Sequence, residues 1–313
     1  MSALICGSMA YDTIMVFHDK FKHHILPEKT HMLNVSFLVP IMRREFGGCA
    51  GNIAYNLKLL GEEPKIMATV GHDFEIYSQW LNQHKLDQKF IQKLDNQFTG
   101  QAYITTDEDD NQITAFHPGA MNFSHLNSVP VDTTIQIGIV SPDGKEGMEL
   151  HAKQFAELEI PFIFDPGQGM PMFNGTELLT LINQATWLTL NDYEAELMQE
   201  KTSLTLKQLA EKVSALIVTR GGEGSLIYTK GKEIQIPSAS VANLADPTGC
   251  GDAYRAGLLF GLMKGLDWEI TGRIASLMGA IKIEHHGTQN HWFNLEKFKH
   301  RYSESFGSTL NIT

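Results

Sequence analysis

At 313 residues the chain can build one large α/β domain, or a domain with an appendage. Its 25 Lys and Arg against 36 Asp and Glu give a net charge of -11, which argues against a nucleic-acid partner. The three cysteines, Cys6, Cys49 and Cys250, lack C-x-x-C spacing, no apolar run approaches a membrane span, and Met1–Gly7 has no basic n-region; together these predict a cytoplasmic protein without a disulfide scaffold, zinc site or membrane partner.

In chain order, Ala3–Cys6 is a short β-prone run that feeds Gly7 and, soon after, Asp12. A lone Asp at a strand end is usually a turn residue. Residues 13–46 hold clustered His, Lys and Pro with intermittent apolar alternation. In Gly47-Gly48-Cys49-Ala50-Gly51-Asn52-Ile53-Ala54 the paired glycines allow close backbone approach, and Asn52 opens a predicted helix, Asn52–Leu60. A strand at Lys65–Val70 follows. A hairpin is predicted from Gln101–Thr106 and Gln112–Phe116 on either side of Asp107-Glu108-Asp109-Asp110-Asn111.

From there strands at Ile135–Val140, Phe162–Phe164, Trp187–Leu190 and Ala215–Thr219 alternate with helices at Leu150–Glu157, Thr176–Gln184, Asp192–Gln199, Leu206–Ser214 and Asp252–Lys264. That alternation predicts a mainly parallel sheet with helices on both faces. Ligands of such sheets sit beyond the carboxyl ends of the strands. The polar motif residues follow Cys6, Phe164, Leu190 and Thr219, where that rule puts them. Two Gly-rich turns need excluding as dinucleotide fingerprints: Ile227 and Tyr254 occupy their third glycine positions. No Gly-x-x-x-x-Gly-Lys-Ser/Thr loop is present either.

The most informative segment is Asp246-Pro247-Thr248-Gly249-Cys250-Gly251-Asp252, which runs into a helix. Two glycines and a small Cys leave backbone amides uncovered, and the helix start adds its unpaired N–H groups and positive dipole end. Such a turn binds anions, phosphate above all. Asp252 at its mouth is either an N-cap or a base that takes a proton from an attacking hydroxyl.

Residues 246–259 resemble the second signature of the PfkB/ribokinase family of carbohydrate and nucleoside kinases, with Cys250 where Ala, Gly or Ser is usual. Residues 47–54, followed by Gly61 and Gly71, are similar to the first signature. The resemblance runs from Gly7 to about Gln289 and is thinnest over residues 13–46 and 80–125. It implies a single α/β, ribokinase-like domain over residues 1–313, with a small β-sheet lid from segments at about 13–46 and 97–120. It also implies ATP and Mg²⁺ as cofactors and a small-molecule nucleoside or sugar as partner. Asp252 would be the base, and the amides of Gly249, Cys250 and Gly251 the anion hole.

By the same resemblance Asp12, Gly48 and Asn52 hold the sugar. Asn191 and Glu194, in Asn191-Asp192-Tyr193-Glu194, stand near the nucleotide phosphates and the water shell of Mg²⁺. Thr219, Gly221, Gly222 and Gly224 pass under the nucleotide, and Ser276 borders the adenine. Asp246, with carbonyls near Gly287, resembles a monovalent-cation (K⁺) site found in many relatives. Phe164-Asp165-Pro166-Gly167-Gln168 and Ala115–Met121 look more like bacterial and archaeal adenosine kinases than sugar kinases. Phe116, Met121 and Gln168 would supply the flat apolar surface and the amide that read a base. Adenosine kinase is therefore the first expectation. A ribokinase or other sugar kinase is second, and a silent nucleotide-binding protein third. Arg255 is left between a phosphate contact and a helix-packing role. Cys49 and Cys250 are expected to line the cleft and to make the enzyme sensitive to alkylation. An exposed lid strand permits a homodimer through the lid, with a monomer as the alternative.

Overall fold

The computed structural model of the chain describes residues 2–25, 34–109 and 111–312. Residues 26–33 of the first lid segment, and Asp110 of the hairpin turn, lie outside the described residues. Among the described residues the strands form a nine-stranded sheet and a separate four-stranded one.

The large sheet contains β1 (Ser2–Cys6), β4 (Lys65–Gly71), β5 (Asp87–Leu94), β8 (Ile135–Val140), β9 (Phe162–Phe164), β10 (Trp187–Asn191), β11 (Ala215–Thr219), β12 (Ser225–Thr229) and β13 (Lys232–Ile236). Their order is β13-β12-β11-β10-β9-β8-β1-β4-β5, parallel from β11 to β5 and antiparallel at β12 and β13. The apolar runs are continuous because both faces are covered. In β1, Ala3 and Ile5 join one core cluster while Leu4 and Cys6 join the other.

Helices α2 (Cys49–Leu59), α3 (Glu75–Gln83), α8 (Cys250–Met263), α9 (Trp268–Ile283) and α10 (Leu295–Phe306) contribute to the first cluster. The second takes in α4 (Lys145–Glu157), α5 (Gly175–Gln184), α6 (Asp192–Thr202) and α7 (Leu206–Ala210). The expected ribokinase-like α/β architecture is what is found.

The small sheet has the order β3-β2-β6-β7, with β2 (Ala10–Val16), β3 (Ile41–Gly47), β6 (Gly100–Thr106) and β7 (Gln112–His117). It is the lid. The hairpin appears within a residue of its predicted bounds, with β6 and β7 antiparallel. Residues 13–46 supply most of β2, all of β3 but Gly47, and the four-residue α1 (Phe21–His24).

Helix α4 begins at Lys145, ahead of the predicted Leu150, and two further helix starts that differ from the sequence reading matter for the site. Helix α2 begins at Cys49 and α8 at Cys250, ahead of the predicted Asn52 and Asp252. In each case a glycine with positive φ opens the helix: Gly48 at 86° and Gly249 at 80°. At Gly48 a Cβ would also lie 2.5 Å from the Ser8 carbonyl and 2.6 Å from the Ala10 nitrogen. Asn52 and Asp252 thus fall inside the first turn of their helices, where neither is the cap.

Candidate active site

The lid and the carboxyl ends of the large sheet enclose a cleft of about 760 Å³. Asp12, Gly48, Asn52, Gln168, Asn191, Glu194, Thr219, Gly249, Gly251 and Asp252 all line it. Among the predicted residues Cys250, Gly221, Gly222, Gly224, Ser276 and Asp246 do not.

Asp252 is the centre of the polar wall. Its Oδ2 accepts from Asn52 Nδ2 at 2.8 Å. Burial raises its pKa to about 6, against the opposing pull of that hydrogen bond. Asn52 cannot turn over, because Gln289 donates to its Oδ1 at 3.0 Å and Gln289 itself is held by Trp80 Nε1 at 2.9 Å. Gln289 also donates to Tyr77, whose hydroxyl donates to the Gly47 carbonyl. Asn52, expected to hold sugar, therefore gives its N–H to the carboxylate beside it.

One turn along α8, Arg255 makes a two-point pair with Asp165, Nε to Oδ2 at 3.0 Å and Nη2 to Oδ1 at 2.9 Å. Arg255 is 5% exposed and Asp165 3%. Nη1 reaches the Gly251 carbonyl at 3.4 Å, and Nη2 lies 3.9 Å from the Glu194 carboxylate. Arg255 is thus a buried brace between β9, α6 and the start of α8.

Around the loop, Cys250 N–H donates to the Pro247 carbonyl at 3.2 Å. This engages one of the three amides expected to form the anion hole, while Gly249 and Gly251 line the cleft. Cys250 is turned away, and burial pushes its thiol up to about 11. Burial raises Cys49 well above the usual thiol value too. Cys49 lines the cleft as expected and Cys250 does not, and burial disfavours the thiolate form of both.

On the nucleotide side, Asn191 and Glu194 form a reciprocal capping box. Asn191 Oδ1 accepts from Glu194 N at 2.7 Å, and Glu194 Oε2 accepts from Asn191 N at 2.8 Å. Burial, then Asp165, raises the Glu194 pKa. Gly221 and Gly222 are exposed and meet open space. Gly224 is needed for strand packing, since its Cβ would lie 2.0 Å from the Ile236 carbonyl. Ser276 ties α9 to the segment after β13, donating to Pro237 O at 3.0 Å and accepting from Ala239 N at 2.9 Å.

Among the described residues no cluster of three or more His, Cys, Asp or Glu side chains is placed to hold a metal directly.

On the substrate side, Asp12 sits over Gly47, where a Cβ would come 2.5 Å from its Oδ2. Burial, then Glu45 and Asp246, raises its pKa to about 6. Among the described residues its carboxylate has no hydrogen-bond partner. Phe116 and Met121 join Gln168 in the cleft, and Gln168 Nε2 lies 3.6 Å from Cys49 Sγ. Asp143 was missed by the sequence reading. It lines the cleft, accepts from Gly144 N at 2.9 Å through Oδ1, and buries Oδ2 without a partner. Burial raises its pKa to about 8. Its position just after β8, at a strand's carboxyl end, was the available signal.

At the Asp246 corner, where a K⁺ site was expected, the carboxylate and two nearby carbonyls already have partners. The Asp246 carboxylate accepts from Thr248 N and Gly287 N, each at 2.9 Å. Its carbonyl accepts from Lys282 Nζ at 2.8 Å, and the His285 carbonyl does so at 3.0 Å. A second cation about 4 Å from that ammonium would be opposed by on the order of 4 kcal/mol at an effective dielectric of 20.

The fold, with carboxylates gathered around an amide-lined turn at the strand ends, defines a ribokinase-like α/β protein. The chain belongs to the pfkB family of carbohydrate kinases, whose profile matches residues 9–294. It is a phosphotransferase of that family with an alcohol as acceptor. It is 34% identical over 265 residues to a nucleoside kinase of Methanocaldococcus jannaschii, covering 84% of this chain and 87% of that one. A solved structure of Burkholderia thailandensis nucleoside kinase in complex with inosine is 47% identical, with a TM-score of 0.90 over 98% of this chain and 99% of that one. The solved M. jannaschii nucleoside kinase gives 31% identity and a TM-score of 0.88 over 97% and 98% of the two chains.

Proposed function

We propose that the chain transfers the γ-phosphoryl group of Mg·ATP to the 5′-hydroxyl of a nucleoside, with adenosine as the preferred acceptor and AMP as product. The observation that carries this is one cleft holding Asp252 on the polar wall, an unpartnered Asp12 opposite, and Phe116, Met121 and Gln168 beyond them. Likeness to the inosine-bound and archaeal nucleoside kinases supports the acceptor class. The domain is read as one kinase unit with the small sheet as its lid.

Asp12 accepts hydrogen bonds from ribose hydroxyls, which places the 5′-oxygen near Asp252. As that oxygen attacks, its proton passes to the Asp252 carboxylate, the O5′–Pγ bond forms, and the bond from Pγ to the β-phosphate oxygen breaks, releasing ADP. The Gly249 and Gly251 amides meet the charge on the transferring group. Bound Mg²⁺ would neutralise phosphate charge, with Glu194 ordering its waters and Asn191 and Arg255 keeping Glu194 in position. Lid closure excludes the competing water. Gln168 offers a donor and an acceptor, so either a 6-amino or a 6-keto purine edge can be matched by rotating its amide.

An ADP-release assay with adenosine, inosine, cytidine, ribose and fructose 6-phosphate tests this. The expected kcat/KM for adenosine exceeds that for ribose by at least about 100-fold, because ribose leaves the base pocket empty. A preference for ribose would overturn the nucleoside reading. Faster turnover of inosine would keep that reading and replace adenosine.

A further inference from the structure

Lys282, near the end of α9, is 0% exposed. Among the described residues no carboxylate pairs with its ammonium. Instead it donates to two backbone carbonyls from different segments, Asp246 O and His285 O. Buried lysines are rare without a charged partner, so one neutralised by carbonyls alone needs an explanation. Its surroundings supply it. Asp246 opens the loop that ends in Gly249 and Gly251, and the Ala245 and Asp246 amides both donate to Ile283 O, at 2.9 and 3.1 Å. The Asp246 carboxylate then clasps the Gly287 amide on the far side. The ammonium therefore ties both ends of the corner from which the loop to Gly249 and Gly251 starts. Carbonyl oxygens gathered round one positive charge are what a monovalent cation would bind.

We propose that Lys282 is a built-in monovalent cation. It holds the loop in register behind Gly249 and Gly251 and adds fixed positive charge there, so phosphoryl transfer needs no free K⁺ or Na⁺. Lys282 is a positioning residue, and its kinetic side rests on the kinase reading given above.

The test begins with the unaltered protein in KCl, NaCl and tetramethylammonium chloride at equal ionic strength. Both kcat and the thermal midpoint are expected to be the same in all three, the rate within about twofold, because the Lys282 ammonium already occupies the carbonyl corner. Activation by K⁺ of about tenfold or more, or a K⁺-specific rise in the midpoint, would overturn the proposal. The midpoint reports on the corner even if no nucleoside is turned over, which separates failure here from failure of the kinase reading.

In Lys282→Met, kcat is expected to fall by about 10- to 100-fold with the nucleoside KM little changed, as for loss of a charged hydrogen-bonding group that acts through the loop. Lys282→Ala, which frees the carbonyls and leaves space, is expected to regain rate in a saturable way with K⁺ or NH₄⁺. An unchanged kcat in K282M, or a folded and slowed K282A that neither ion restores, would reduce Lys282 to packing. Should both variants fail to fold, the comparison of salts on the unaltered protein decides alone.

Discussion

The two walls of the cleft are built in opposite ways. On the sheet side the charged and amide groups are partnered within the protein: Asp252 with Asn52, Arg255 with Asp165, Asn191 with Glu194. On the lid side Asp12 has no hydrogen-bond partner among the described residues, and Phe116, two strands away in the same register, is 51% exposed. The first wall is preorganised, so its dipoles need not reorient when charge develops. The second is less internally partnered, and on the proposed function it would gain partners and burial from the nucleoside. Chemistry and selection are thereby separated, and each can be damaged without the other.

The largest effect should come from the preorganised wall. Asp252→Asn keeps the shape and the Asn52 neighbour but cannot take a proton. We expect kcat to fall about 10²- to 10⁴-fold, with the nucleoside KM changed only a few-fold. On the proposed role the carboxylate acts unprotonated, and burial raises its pKa to about 6, so kcat/KM should drop as pH falls through about 6. In D252N that acid limb should vanish. A limb that persists in the variant would assign it to another group, Asp12 included.

Next comes the brace beneath that wall. Arg255→Met leaves Asp165 buried and unpaired, at a cost to stability of about 3–5 kcal/mol in urea unfolding. Adding Asp165→Asn should recover part of that loss, because the stranded charge is gone. If R255M alone unfolds at the original midpoint, the sheet-side wall is less dependent on internal pairing than its geometry indicates.

The two walls were not equally legible in the sequence. The anion loop, Asp252, Asn52, Asn191 and Glu194 stood out because local sequence sets their backbone: Gly48 and Gly249 fix helix starts, and the Asn191–Glu194 spacing of three is a capping box. What the sequence could not give was partnership across long separations. Asn52 meets Asp252 two hundred residues away, Arg255 meets Asp165 ninety away, and Lys282 occupies the Asp246 corner. Ser276, Gly221 and Gly222, placed near the nucleotide by resemblance, fall outside the cleft lining. In the fold, β5 was overlooked because Asp87–Leu94 is a half-exposed edge strand rich in polar residues. Helix α9 was overlooked because it is buried on several faces and shows no single apolar stripe.

The smallest effect belongs to the lid, and it is the most diagnostic of the separation. Phe116 lies on β7 with half its surface open, so its removal takes little from the core. Phe116→Ala should leave the urea midpoint within about 0.5 kcal/mol, as for other surface changes. A nucleobase that covers the ring would lose about 1–2 kcal/mol of apolar contact, raising the nucleoside KM about 5- to 30-fold. Any residual turnover of ribose, which has no base to stack, should keep its KM. A loss shared equally by nucleoside and ribose would mean that Phe116 shapes the lid as a whole. Loss of stability would place it in the core, and the two walls would then be parts of one rigid frame.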